Sequence, residues 1–187
     1  MDAPCAPADL TGGVPATARR GRGAAFVVEA DEYAGNFDAY RPDVVVLTNI
    51  EWDHPDVFAD RAAVIDAFGT WLSRVPEATL VASLSSLGVE ELVRRLVDRA
   101  GPVIGVGLEG PGIVSPVGAS PRPDPNRPGD LYLHTEIVDT DTDRTGLLMF
   151  DYPGGEAIDN VGIARADLQL VGSHNAANAA SVAGAAI

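Results

Sequence analysis

Residues 44–58 read VVVLTNIEWDHPDVF, a β-branched run that gives way at Asn49 to acids gathered around one histidine. Four successive branched aliphatic side chains without polar alternation are the pattern of a strand covered on both faces, as in a parallel sheet. Residues 24–29, AAFVVE, repeat the pattern and run on into ADEYAGNF. Ligands of open parallel sheets collect at the carboxyl ends of the strands. Glu29 and the group from Asn49 to His54 therefore mark one sheet edge as the place for a site, with both side-chain sets expected to face a common cleft.

The flanking sequence supports this reading. Over residues 60–75, Ala63, Val64, Ala67, Phe68, Trp71 and Leu72 recur at helical spacing. Residues 78–82 read as a strand, 89–100 as a helix with Leu92, Val93, Leu96 and Val97 on one stripe, and 103–106 as another strand. Alternating strands and helices predict an α/β fold, a mainly parallel sheet with flanking helices over residues 24–107, after a loose segment 1–23. Residues 108–130 are rich in Gly and Pro and read as a linker. GVGLEG at 105–110 has dinucleotide-loop spacing but opens no helix, and is read as a loop. Residues 131–138, 145–152 and 166–171, with a turn at 141–143, predict a small antiparallel ribbon within 131–171. An Ala-rich helix fills 172–187.

Composition narrows the function. The chain has 187 residues, 46% of them hydrophobic, and a formal net charge of -14. A nucleic acid or an anionic membrane would be repelled by that charge, and neither is an expected partner. Cys5 is the only cysteine, which fits a reducing, cytoplasmic setting. All 13 basic residues are arginine. The phosphate loop G-x-x-x-x-G-K-[ST] is therefore not present, nor is a lysine nucleophile.

Two clusters carry chemistry. Glu29, Asp31 and Glu32, with Glu51, Asp53, His54 and Asp56, offer the oxygen-rich set a hard cation such as Mg²⁺ takes, although acids at loop starts also serve as ordinary caps. His174, Asn175 and Asn178 open the last helix. Asn175 and Asn178, three apart, share a face, and an amide side chain has the donor and acceptor needed to read an adenine edge, or simply to cap a packing helix.

Three stretches in order, Glu29-Ala30-Asp31-Glu32, Thr48-Asn49-Ile50-Glu51-Trp52-Asp53-His54 and Gly172-Ser173-His174-Asn175-Ala176-Ala177-Asn178, resemble the signatures of the central ATP-binding domain of the Mur ligases. The resemblance is closest to the branch that joins L-alanine to UDP-N-acetylmuramate, with murein tripeptide recycling ligases as near relatives. It implies a truncated, P-loop-NTPase-like central domain lacking its N- and C-terminal neighbours. The implied reaction is ATP-dependent amide formation through an acyl phosphate, with Mg²⁺. By the same resemblance Glu29 and His54 are the catalytic metal ligands, and His174, Asn175 and Asn178 the nucleotide contacts. Asp31, Asn49 and Asp53 would support them or face substrate. A fragment without the phosphate loop is expected to be inactive alone, and a non-catalytic ligase-like binding module is the alternative. Tyr33-Ala34 stands where this branch commonly has serine and aspartate.

Overall fold

A computed structural model of the chain describes residues 21–110, 129–140, 145–151, 164–169 and 172–186. It forms two units, Met1–Ala30 and Asp31–Ile187. In the first, residues 21–30 form no strand, and Phe26 and Val27 are each 89% exposed. The strand expected at 24–29 is thus corrected: a β-branched run becomes a strand only where another strand completes its hydrogen bonds.

The second unit holds six strands and three α-helices among its described residues, preceded by a 3₁₀ helix, Tyr33–Ala39. Strands β1 (Val44–Leu47), β2 (Thr79–Ser83), β3 (Val103–Glu109) and β4 (Leu131–Thr140) pair in sequence order and in parallel. β5 (Thr145–Asp151) and β6 (Ala164–Leu168) add antiparallel to β4. The ribbon is therefore continuous with the parallel sheet, and β4 belongs to both. The predicted turn at 141–143 and most of the linker fall outside the described residues.

Alternation along the strands explains where the helices go. Leu80 and Ala82 of β2 join a core with α1 (Arg61–Leu72) and α2 (Leu87–Arg95), whereas Val81 points the other way, into a cluster with Ile104, Val106 and Ala180 of α3 (Ser173–Ala185). Both crossover helices cover one face and α3 covers the other. Ala176, Ala180 and Gly184, spaced by four, form the face of α3 against the sheet. A Cβ on Gly184 would lie 3.0 Å from Val81 and 3.2 Å from Val106, so the small side chains set a close approach.

The expected stripe of α1 is realised, with Val64, Phe68, Trp71 and Leu72 buried and Ile65 added. Burying a large aliphatic or aromatic side chain contributes roughly 1.5–3 kcal/mol. The Asp60 cap, accepting from Ala63 N–H at 2.9 Å, contributes about 1 kcal/mol, so packing rather than capping holds the helix. Arg99 closes its far end: 8% exposed, it donates to the carbonyls of Leu72, Val75 and Ala78. A planar, five-donor guanidinium suits such converging carbonyls.

Two expectations shift. α2 begins at Leu87, capped by Ser86, and ends at Arg95, leaving Val97 74% exposed beyond it. β3 continues through residues 105–109, read from sequence as a loop, because Gly107 makes room for a neighbour: a Cβ there would meet the Tyr132 hydroxyl at 2.1 Å.

The first turn of α2 lies against the loop after β1. A Cβ on Gly88 would sit 2.2 Å from the Ile50 carbonyl oxygen. Gly88→Ala gains about 1 kcal/mol of helix propensity but overpacks this contact at a cost of about 1–3 kcal/mol or more. We expect net destabilisation, seen as a lower urea midpoint; an unchanged or raised midpoint would show that the loop yields freely.

Candidate functional site

β1 ends at Leu47, and the chain then crosses the carboxyl edge of the sheet as the loop that carries Asn49, Glu51, Asp53 and His54. Its peptide at Ile50 is held from one side: the N–H donates to Ser86 Oγ at 3.1 Å, and the Ile50 side chain is 2% exposed in the core. Farther along, the Trp52 indole N–H donates to the Phe58 carbonyl at 3.0 Å, which ties the loop's two ends together.

Between them His54 adopts φ +55°, the left-handed region, directly before Pro55. Such a backbone costs of order 1–3 kcal/mol unless its surroundings fix it. The His54 N–H donates to Asp53 Oδ1 at 2.7 Å, and its carbonyl accepts from both Val57 and Phe58 N–H at 2.9 Å. The Tyr33 ring lies against the imidazole, centroids 4.6 Å apart, and the Tyr33 hydroxyl donates to Asp56 at 3.2 Å. Asp31 is turned elsewhere, accepting from Asn36 Nδ2 at 2.6 Å.

Two hollows open on this loop and share Asn49 and Glu51. The smaller, about 280 Å³, is lined by Glu32, Glu51 and Asp53 together with Val64 and Phe68 of α1. The larger, about 720 Å³, runs from the loop past Arg61 and the serines 83, 85 and 86 to His174 and Asn178 at the start of α3. α3 begins at Ser173, after Gly172 at the N-cap position, φ +111°, which supplies no side-chain cap. A helix N-terminus favours acceptor-rich or anionic ligands. Of the expected nucleotide contacts, His174 and Asn178 line the cleft, while Asn175 is half-buried and stands outside its lining. Glu29 belongs to the first unit, where its residue is exposed.

The donor chemistry of the edge fits a hard divalent cation. Glu32, Asn49, Glu51 and Asp53, all with oxygen-bearing side chains, line one hollow, and His54 follows Asp53 in the loop. Among the described residues no three acidic, histidine or cysteine side chains form a closed ligand group. Magnesium commonly takes one or two carboxylates and completes its shell with water and substrate phosphate, so an open set of oxygen donors is compatible with it. No helix among the described residues is long and apolar enough to cross a membrane.

An α/β domain with its loops, acids and an uncapped helix start along the carboxyl edge of a parallel sheet is a ligand-binding domain of the open-sheet class. A family model described as the Mur ligase middle domain matches residues 13–186, and the chain belongs to that family. It is similar to the UDP-N-acetylmuramate–L-alanine ligases of Frankia alni, 42% identical over 93 residues, and Mycolicibacterium vanbaalenii, 40% over 96 residues. These matches cover 47% and 51% of this chain, and 16% and 20% of the relatives' length. That of Limosilactobacillus reuteri is 51% identical over 53 residues, 28% of this chain and 12% of the relative.

Sequence reasoning passed over Arg61 and the serines at 83, 85 and 86, and noted Tyr33 only as a departure from the serine common in the branch it resembles. The serines were within reach: Ser83 ends β2 and Ser85 and Ser86 follow it, and the same strand-end rule selects them. Nothing in the sequence pairs Tyr33 with His54, which is far along the chain.

Asp56 disfavours the Tyr33 phenolate by its charge and its hydrogen bond, raising the Tyr33 pKa above the ordinary 10.0. The folded value being the higher one, this contact's contribution is present below the ordinary tyrosine range and is lost as pH rises through the raised pKa. Asp56→Asn should bring the Tyr33 transition back toward the ordinary value, followed by NMR of its ring carbons; a transition that stays put would remove Asp56 as the cause.

Proposed function

We propose that this chain is the ATP-binding middle portion of a cytoplasmic ligase that joins UDP-N-acetylmuramate to L-alanine for peptidoglycan synthesis. The observation that carries the reading is one cleft bounded at one end by the Asn49–Glu51 loop and at the other by His174 and Asn178 of α3. Family membership and the names of the relatives support the reaction class. ATP phosphorylates the muramoyl carboxylate, the amine of alanine attacks the acyl phosphate, and phosphate departs as the amide forms.

In this reading Asn178, with Asn175 and His174, holds the adenine end of ATP. By the family resemblance His54 would hold magnesium, which when bound neutralises crowded phosphate oxygens, and Glu29 carries the same assignment from the resemblance alone. Asn49 and Asp53 orient the groups around His54, and Asp31 supports its segment through Asn36. The chain's main contribution is positioning and fixed charge, which dominates catalysis of phosphoryl transfer. Flanking domains of the same enzyme bring the remaining substrate contacts.

In the full-length enzyme, Asn178→Ala should weaken ATP by about 1–3 kcal/mol through loss of a recognised polar edge. It should act mainly on the KM for ATP, because a contact equally strong in ground and transition states leaves turnover nearly unchanged. His54→Ala should lower kcat instead. Both are measured by phosphate release dependent on UDP-N-acetylmuramate and L-alanine. A full-length enzyme that releases no phosphate in the presence of both substrates would overturn the assignment.

A further inference from the structure

Tyr33 is 39% exposed and is not part of any of the buried hydrophobic clusters, so its orientation is not explained by core packing. It is nevertheless fixed at both ends. Its backbone opens the 3₁₀ helix, in which Gly35 N–H donates to the Glu32 carbonyl at 3.1 Å, and Ala34 and Gly35 take φ +50° and +74° to make the sharp return. Its hydroxyl is anchored on Asp56, two residues past His54. What lies between those anchors is the imidazole of His54, with ring centroids 4.6 Å apart and planes at 52°. That separation is within the range in which aromatic pairs attract beyond simple area burial.

We propose that Tyr33 is a positioning residue for His54, a clamp that sets the plane of the imidazole and so the direction in which its ring nitrogens face a ligand. The inference rests on the assignment of His54 as a metal ligand made above, and deepens it. His54 has few other means of fixing its ring. Asp53 is engaged with the His54 main-chain N–H, and its nearer carboxylate oxygen to the ring, Oδ2, stands 3.9 Å from Nε2, beyond hydrogen-bond range. The backbone bonds that hold the left-handed φ fix where the side chain departs but not how the ring turns. The side chain is 36% exposed, and the Tyr33 ring is the aromatic neighbour packed against it. Metal-ligating histidines depend on a neighbour that orients the ring, and loss of such a neighbour lowers metal affinity.

The test is NMR on the chain of residues 1–187, comparing the unaltered protein with Tyr33→Leu, which keeps apolar bulk, and Tyr33→Phe, which keeps the ring and loses the hydroxyl. Ring-to-ring nuclear Overhauser contacts and the three-bond couplings of His54 report its orientation, and amide spectra elsewhere report that the fold is kept. The unaltered chain and Tyr33→Phe should show a single His54 rotamer, and Tyr33→Leu an averaged one. Mn²⁺, added alone, should broaden the His54 signals, with an apparent affinity about 10-fold or more weaker in Tyr33→Leu and restored in Tyr33→Phe. The proposal is overturned if Tyr33→Leu keeps the rotamer, if Mn²⁺ affinity is unchanged while the rotamer averages, or if Tyr33→Phe fails to rescue. Absence of Mn²⁺ broadening at His54 in the unaltered chain overturns the metal assignment instead, and the rotamer comparison then decides the clamp without it.

Discussion

The carboxyl edge of the sheet depends on how one peptide is held. Ile50 gives its N–H to Ser86, presses its carbonyl against Gly88 and buries its side chain in the core. Ser86 Oγ also accepts, at 3.5 Å, from Val89 N–H at the start of α2. One hydroxyl oxygen thus serves both a helix cap and a loop anchor. The polar residues on either side of Ile50, Asn49 and Glu51, project from a peptide fixed against a helix, which gives them the defined origin that positioning chemistry requires. Exposed acids on an untethered loop would lose that definition to conformational entropy.

Around this anchor the chain tolerates a local backbone that sequence alone would discourage. A left-handed histidine before proline is supported by three main-chain hydrogen bonds, by the indole tie from Trp52 to Phe58 and by an aromatic ring on its exposed face. Left-handed non-glycine residues persist where neighbours over-determine them. The adjacent 3₁₀ helix repeats the device with Ala34 and Gly35, so two irregular segments meet at Tyr33 and His54.

The first three strands of the sheet were legible from their apolar runs, although Val44 and Val46 of β1 prove exposed and not covered on both faces, and the stripe of α1 was legible because its apolar residues recur at the helical period. The positions of the Asn49–His54 and His174–Asn178 motifs, after a strand and at a helix start, were legible from the same patterns. The segment at 24–29 shows the limit of that logic: composition announces a strand, but a strand exists only with a partner. β3 shows the opposite failure. Glycines at 105 and 107 mimic a loop in sequence, yet Gly107 is there to admit the Tyr132 hydroxyl alongside a continuing strand. Contacts between distant residues, such as Tyr33 with His54 or Ser86 with Ile50, leave no periodic trace and emerge only from the fold.

The double membership of β4 has a consequence for assembly. Its antiparallel pairing with β5 spans a short separation, Thr140 facing Thr145, whereas every parallel pair must first bring together segments separated by a crossover or a long connection. Hairpins close in roughly 1–10 μs, and non-local pairings wait on the entropy of closing longer loops. The topology therefore favours early pairing of β4 with β5. β1 pairs only with β2 among the described strands, across a crossover, and it is the strand from which the Asn49–His54 loop springs, so the ligand edge depends on a non-local pairing.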